Sequence, residues 1–353
     1  MTMNKPRGLY IHVPFCLTKC PYCDFYSVSY SCSAAGEYAS AVMRNLARFS
    51  EPFDTVYFGG GTPILAAEHI GGILSCANLT RGAEITVEAN PCLCLPETLE
   101  TLRKSGVNRL SVGVQSLDGG ELAALGRRHG AQQAENAILA AARAGFEDIS
   151  ADIMLAVPRQ TCESLSRTIA RLAELPLTHV SAYLLKIEPA TPFGADPPET
   201  PDEDETAELY LRAVSELEKR GFAQYEISNF AKKGYESRHN LKYWRREEYL
   251  GIGAAAHSFY GGERFAVPRD AGAFIAAPVQ QTVLTDGAPD ETEERIMLGL
   301  RLAEGIPEEL WKPREKRLRF IPREYYEIRG GRLSLTPRGF LLSNEIITLL
   351  IEG

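Results

Sequence analysis

The sequence predicts an α/β protein: a partial, laterally open (β/α)6 barrel followed by a smaller C-terminal α+β domain of winged-helix type. Three observations carry this. Short strand-like runs alternate with helix-like segments, the pattern of βα units around a parallel sheet. Six such units can be counted between Gly8 and Leu185, fewer than the eight of a closed barrel. From about Glu291 the pattern changes to a helix, a short β-like piece and an apolar terminal helix. The expected division is residues 1–230 for the barrel, 231–290 for a connecting region and 291–353 for the terminal domain.

Gly8–Val13 (GLYIHV) is the first strand, closed by Pro14. Tyr38, Val42, Leu46 and Phe49 recur at spacings of four, four and three, one face of a helix. Thr55–Phe58 is the second strand, broken at Gly59–Gly60–Gly61–Thr62–Pro63. Glu84–Glu88, Arg109–Val114, Ile149–Met154 and Val180–Leu185 are the remaining four. Helix-like segments lie between them at Pro96–Ser105, Gly120–Gly145 and Cys162–Leu175. The stretch Pro197–Glu208, rich in proline and acidic residues, reads as a solvated loop that places carboxylates in the first turn of a helix. That helix runs through Leu209, Ala213, Leu217 and Lys219 and stops at Gly221. A β-rich patch, Phe222–Phe230, precedes the polar stretch Ala231–Trp244 and the glycine-rich Leu250–Gly262. Ile296, Leu298, Leu300 and Leu302 belong to a helix ended by Gly305. The β-like Arg332–Leu335, Pro337–Gly339 and an apolar helix through Ile351 complete the terminal domain. Trp311–Arg332 is more basic than acidic and reads as a solvated face, the alternative being a docking face for a protein partner.

The formal charge of −8 disfavours general nucleic-acid or anionic-membrane binding, which needs a basic field. No run reaches the roughly 18 apolar residues of a transmembrane helix. The polar start, Met1–Arg7, has no apolar signal core, so a cytoplasmic protein is expected. Eight cysteines in such a chain are expected to be reduced thiols.

Three of those thiols carry chemistry: Cys16, Cys20 and Cys23 fall within Cys16–Leu17–Thr18–Lys19–Cys20–Pro21–Tyr22–Cys23. Soft thiolates select iron–sulfur clusters or zinc, and a zinc site would want a fourth ligand nearby. The spacing resembles the signature of the radical S-adenosylmethionine (SAM) superfamily, in which three cysteines hold a 4Fe–4S cluster and leave one iron open. Tyr10-Ile-His-Val-Pro-Phe-Cys16 and Phe58-Gly-Gly-Gly-Thr-Pro63 are similar to the coproporphyrinogen III oxidase-like branch, and the resemblance extends to Leu335-Thr-Pro-Arg-Gly339 and Ser343-Asn344. Two groups of that branch compete, the oxygen-independent oxidases and the heme chaperone HemW group. The oxidases usually carry a further cysteine two residues after the third, where this chain has Phe25. They also carry an N-terminal extension, whereas nine residues precede Tyr10 here. His239-Asn240-Leu241-Lys242-Tyr243-Trp244 fits the His-Asn-x-x-Tyr-Trp motif that the chaperone group is thought to use for heme. All three features favour the chaperone group; the alternative is oxidative decarboxylation of coproporphyrinogen III.

The resemblance implies a set of site residues. Cys16, Cys20 and Cys23 would ligate three irons, and SAM would chelate the fourth, with an electron donor reducing the cluster. Tyr10 and Tyr22 are expected beside SAM or the cluster. Gly60, Gly61 and Thr62 follow a strand, and glycine lets backbone N–H groups approach a ligand closely; they match the family's contact to the methionyl amino group. Glu88 ends the third strand, where a carboxylate points to the site. Gln115, Arg127 and Asp152 complete the implied SAM set. His239, Asn240, Tyr243 and Trp244 are the implied heme residues, imidazole being a common axial ligand. His257 is a weaker candidate, and His12 reads as structural. The implied partners are heme or porphyrin and a heme-acceptor protein, with no nucleic acid. After the fifth strand the family usually has Gly-Leu-Pro-Gly-Gln-Thr; this chain has Ala156-Val157-Pro158-Arg159-Gln160-Thr161, so a different loop backbone is expected. Cys32, Cys76, Cys92, Cys94 and Cys162 read as ordinary thiols.

Overall fold

Six parallel strands form the frame of the molecule: β1 (Arg7–Val13), β2 (Phe53–Gly60), β3 (Leu79–Ala89), β4 (Arg109–Gln115), β5 (Asp148–Leu155) and β6 (His179–Leu184). They belong to a computed structural model that describes residues 6–286 and 290–352; the polar start before Pro6 lies outside the described residues. Each strand alternates its side chains between two faces. Leu9, Ile11, Val56, Phe58, Ile85, Val87, Leu110, Val112, Ile149 and Ala151 point outwards and are buried beneath the helices. Burying one such side chain of valine size or larger contributes about 1.5–3 kcal/mol, so this layer holds the wall together. The alternate positions, among them Tyr10, Tyr57, Glu88, Ser111, Asp152 and Tyr183, carry polar side chains on the other face, where they meet across the lumen.

The sheet continues beyond those six strands. A hairpin of β7 (Ala223–Glu226) and β8 (Asn229–Ala231) extends it antiparallel from β6. On the other side β9 (Tyr249–Ile252) pairs in parallel with β1, and β10 (His257–Tyr260), β11 (Glu263–Ala266) and β12 (Val283–Asp286) follow antiparallel. The order is β12-β11-β10-β9-β1-β2-β3-β4-β5-β6-β8-β7, twelve strands with open edges. Residues 231–290, expected to connect two domains, thus add strands to the barrel sheet itself. Glycines hid these strands. A Cβ at Gly251 would stand 2.2 Å from the His257 carbonyl oxygen, so the close β9–β10 turn needs glycine inside a strand.

The segment Gly120–Gly145, expected as one helical run, is two helices, Gly119–Ala124 and Ala131–Arg143. Gly126 breaks it at φ +65°, a conformation that glycine adopts without steric cost. Arg127 is delivered from that break. After residue 290 come the helix Glu291–Gly299, the hairpin Tyr326–Arg329/Arg332–Leu335 and the helices Pro337–Leu341 and Ser343–Glu352. No helix among the described residues is long and apolar enough to cross a membrane.

Candidate cluster, SAM and heme sites

The barrel has a mouth at the C-terminal ends of its strands and a floor at their N-terminal ends. The cysteine loop leaves β1 at the mouth. Phe15–Cys16 pairs with Val28–Ser29, which closes the loop upon itself. Cys16, Cys20 and Cys23 are all free and partly exposed. Cys16 Sγ lies 3.5 Å from Thr62 Oγ1, and Arg127 Nη1 donates to Cys20 Sγ at 3.4 Å. Burial, with the other two thiols nearby, raises the Cys23 thiol pKa. No three His, Cys, Asp or Glu side chains among the described residues converge as ligands of a single ion would. The donor set fits a 4Fe–4S cluster: three soft thiols, no disulfide, and a cation beside one sulfur. Arg127 also keeps a buried Nε without a partner. Its neighbour Arg128 is exposed.

The implied SAM residues gather around the same mouth, with one change of role. The N–H groups of Gly61 and Thr62 are donated to the Val13 and Phe15 carbonyls at 2.9 and 2.8 Å. That of Gly60 goes to Glu88 Oε2 at 3.2 Å. The first two therefore stitch the end of β2 to the start of the cysteine loop, the third ties it to β3, and none is free for a ligand. A Cβ at Gly60 would stand 2.6 Å from the His12 ring, and one at Gly61 2.7 Å from the Phe15 carbonyl oxygen, so both glycines serve close packing. His12 is structural here: Nδ1 shares a hydrogen bond with the Tyr10 hydroxyl at 3.1 Å, and Nε2 lies 3.0 Å from the Tyr26 carbonyl oxygen.

Glu88 accepts from Tyr57 Oη at 2.9 Å through its other oxygen. Burial and then the nearby Asp152 push its pKa up to about 7, against the pull of the Tyr57 and Gly60 bonds. Asp152 accepts from Ser111 Oγ at 2.9 Å, and its own pKa is raised by burial. Gln115 ends β4 with φ +66°, a left-handed backbone for a non-glycine residue. Arg127 Nη2 donates to the Gly113 carbonyl at 2.9 Å, which ties the helix break to β4. Tyr22 packs beside Phe193, with ring centroids 6.3 Å apart, in a small cluster with Leu125, Met154 and Val157. A cavity of about 90 Å3 beside Cys20 is lined by Thr62, Cys92 and Arg127 among others. Phe25, in the position where an oxidase usually has another cysteine, is 66% exposed.

The loop Ala156–Thr161 turns without glycine. Ala156 and Arg159, which stand in place of the family's glycines, both hold left-handed φ values of +56° and +71°. Both residues thus hold a conformation that glycine favours, at a cost in backbone strain. Gln160 holds the turn by accepting from Ala156 N at 2.7 Å and donating to the Met154 carbonyl at 3.0 Å.

The His-Asn-x-x-Tyr-Trp motif lies at the opposite end. It forms the short helix Arg238–Trp244, capped by Ser237 and by Glu84, whose two oxygens accept from Arg238 N and His239 N. His239 is fully buried against Gly8, with Nδ1 2.8 Å from Thr55 Oγ1 and Nε2 2.7 Å from Tyr243 Oη. Burial, reinforced by Lys242 and Arg109, pushes its pKa down to about 3, so the ring is neutral. In this arrangement neither ring nitrogen is free to bind iron. Thr55 and Gly60 lie at the two ends of β2, roughly 16 Å apart along the strand, so the histidine and the cysteine loop do not meet. Asn240 and Trp244 are partly exposed, and Trp244 lies 6.0 Å from the Arg301 guanidinium. His257 is exposed on β10.

Sequence reasoning missed the lumen as a whole. Tyr57, Arg109, His179, Tyr183 and Tyr225 line it, and Arg109 is a fully buried cation 3.5 Å from Asp148. The signal was present as period-two polarity: Thr55 and Tyr57, Arg109 and Ser111, Ser150 and Asp152, His179 and Ser181.

An open barrel of parallel strands with a three-cysteine loop at its mouth is the arrangement of a radical SAM protein. The family model described as the radical SAM superfamily matches residues 10–172. Heme chaperone HemW of Lactococcus lactis is 32% identical over 98% of this chain and 97% of its own length. The proteins of the same name from Bacillus subtilis and Escherichia coli are 36% and 35% identical, over 85% and 87% of this chain and 84% and 85% of theirs. Within the superfamily, this chain belongs to the HemW family. The solved structure of coproporphyrinogen III oxidase (HemN) from Escherichia coli, described as a radical SAM enzyme, superposes with a TM-score of 0.83 at 19% identity, covering 98% of this chain and 90% of that one, which shows the shared fold.

Proposed function

We propose that this chain is a cytoplasmic heme chaperone that binds heme and passes it to acceptor proteins from a radical SAM scaffold. The single observation that carries the reading is the near full-length similarity to relatives named heme chaperone HemW. The exposed Phe25 and the intact His239-Asn240-x-x-Tyr243-Trp244 motif support it. In this reading Cys16, Cys20 and Cys23 hold the 4Fe–4S cluster, and Arg127 stabilises the Cys20 thiolate. Tyr10, Tyr22, Glu88, Gln115, Arg127 and Asp152 would hold SAM beside the cluster. Gly60 and Gly61 would contribute their carbonyl oxygens and Thr62 its hydroxyl, since the three N–H groups and the Thr62 carbonyl already have partners. When bound, the cluster supplies an electron to SAM; the chain's own residues orient SAM and limit water at the mouth. His239, Asn240, Tyr243 and Trp244 form the heme motif.

The test combines a binding and a turnover measurement. Heme titration of the wild-type protein should give a saturable Soret shift, and His239→Ala should weaken it at least about tenfold, the loss of one strong ligand contact. Anaerobic, reduced protein given SAM and coproporphyrinogen III should form no protoporphyrinogen. Product formation with SAM consumption would overturn the chaperone reading in favour of the oxidase, and unchanged heme binding by His239→Ala would remove that residue as ligand.

A further inference from the structure

Tyr57 occupies the lumen between the two sites. Its hydroxyl donates to Glu88 Oε1 at 2.9 Å, while Gly60 N–H, three residues further along the same strand, donates to Oε2 at 3.2 Å. Both carboxylate oxygens are therefore fixed by β2. The Tyr57 ring is itself held on two sides, near-parallel to Tyr10 (centroids 6.4 Å, 22°) and to His239 (5.3 Å, 26°). Gly59 makes room for this packing: a Cβ there would lie 3.0 Å from the Tyr10 and Tyr57 rings and 3.3 Å from Glu88 Oε1. The phenol oxygen can move away from Glu88 only if the ring leaves the stack.

We propose that Tyr57 is the positioning residue for Glu88, holding its carboxylate turned to receive the ammonium group of SAM. The proposal rests on the reading of Glu88 as a SAM contact. A hydrogen bond to a charged acceptor is worth about 1.5–3 kcal/mol, which is enough to decide the protonation state of a buried acid. The titratable groups that face Glu88 are Asp152 from β5, Tyr10 from β1, Tyr57 itself, Tyr183 from β6 and Tyr243 from the floor helix. Burial and Asp152 favour the protonated form, and the bonds from Tyr57 and Gly60 oppose them. Without the Tyr57 hydroxyl the midpoint near 7 moves higher, so a neutral acid would meet the ligand's ammonium group at physiological pH.

The experiment measures equilibrium SAM binding to the cluster-loaded protein across a pH series. Tyr57→Phe keeps the ring and its packing while removing only the hydroxyl. It should weaken SAM binding about tenfold or more near neutral pH and shift the binding midpoint to higher pH. Weaker binding with an unshifted midpoint, or unchanged affinity and midpoint, would overturn the proposal. Glu88→Gln separates the two levels. If Glu88→Gln loses SAM while Tyr57→Phe behaves as wild type, only the role of Tyr57 falls; if Glu88→Gln binds SAM normally, the reading of Glu88 falls with it.

Discussion

Arg159 is exposed and holds its backbone at φ +71°. A left-handed conformation costs an L-residue about 1–2 kcal/mol, and glycine's freedom in the unfolded chain takes back about 0.4–1 kcal/mol. Arg159→Gly should therefore stabilise the protein by about 0.5–1 kcal/mol, read as a rise in the urea midpoint. A fall would show that the guanidinium makes a contact worth more than the strain. At this scale the three-cysteine loop was legible as a motif, because its spacing is itself the signal. The strain at Ala156 and Arg159 was not, because φ is set by how the loop closes over Gln160. The partner of Glu88 was also hidden: Tyr57 lies thirty-one residues away in sequence, and only pairing of β2 with β3 brings them together.

The floor helix Arg238–Trp244 shows what happens when a short element is read from polarity alone. Its seven residues are too few for a clear helical period, and its polar side chains face a polar lumen instead of an apolar core. The motif was legible as a motif and illegible as a plug. Its placement has a consequence for heme. For His239 to reach iron, Nε2 must leave Tyr243 or Nδ1 must leave Thr55, and the buried ring must move past Gly8. Tyr243→Phe removes one of those bonds, worth about 0.5–1.5 kcal/mol, while keeping an aromatic ring. If the ring is stored in the floor and released for heme, this variant should bind heme faster, about two- to tenfold, in stopped-flow Soret measurements. Slower binding would mean that the Tyr243 hydroxyl contacts the bound heme, and an unchanged rate would mean that release is limited elsewhere. The six barrel strands, by contrast, were legible because each pairs an apolar outer face with a turn or glycine at its end. The strands β9 and β10 were not, since glycine within them obscured the run.

Across the whole molecule, the terminal region is joined to the barrel by backbone pairing and by one buried carboxylate. Ile227 N donates to the Arg301 carbonyl at 2.9 Å and Ala303 N to the Tyr225 carbonyl at 3.0 Å, which links the β7–β8 hairpin to the chain after the helix Glu291–Gly299. Glu294 on that helix is buried and accepts from Arg264 Nε on β11 at 2.6 Å and from Arg246 just after the floor helix. Both guanidinium groups lie over the Phe259 ring of β10, at 4.8 Å for Arg246 and 4.6 Å for Arg264. One carboxylate thus neutralises two cations that come from the outer sheet and from the floor. Removing it leaves both arginines close together, partly buried and without their shared counter-charge. Breaking a buried pair in this way costs about 3–5 kcal/mol, against about 0–1 kcal/mol for an exposed one. Glu294→Ala should accordingly lose about 3–5 kcal/mol of unfolding free energy in urea titrations monitored by tryptophan fluorescence, since Trp244 and Trp311 report on the floor and the terminal region respectively. A loss below about 1 kcal/mol would show that Glu294 behaves as a surface charge and that the other contacts hold the terminal region to the barrel. Coincident fluorescence and circular-dichroism transitions would show that barrel and terminal region unfold as one unit, as a carboxylate tied to both sheet and floor requires.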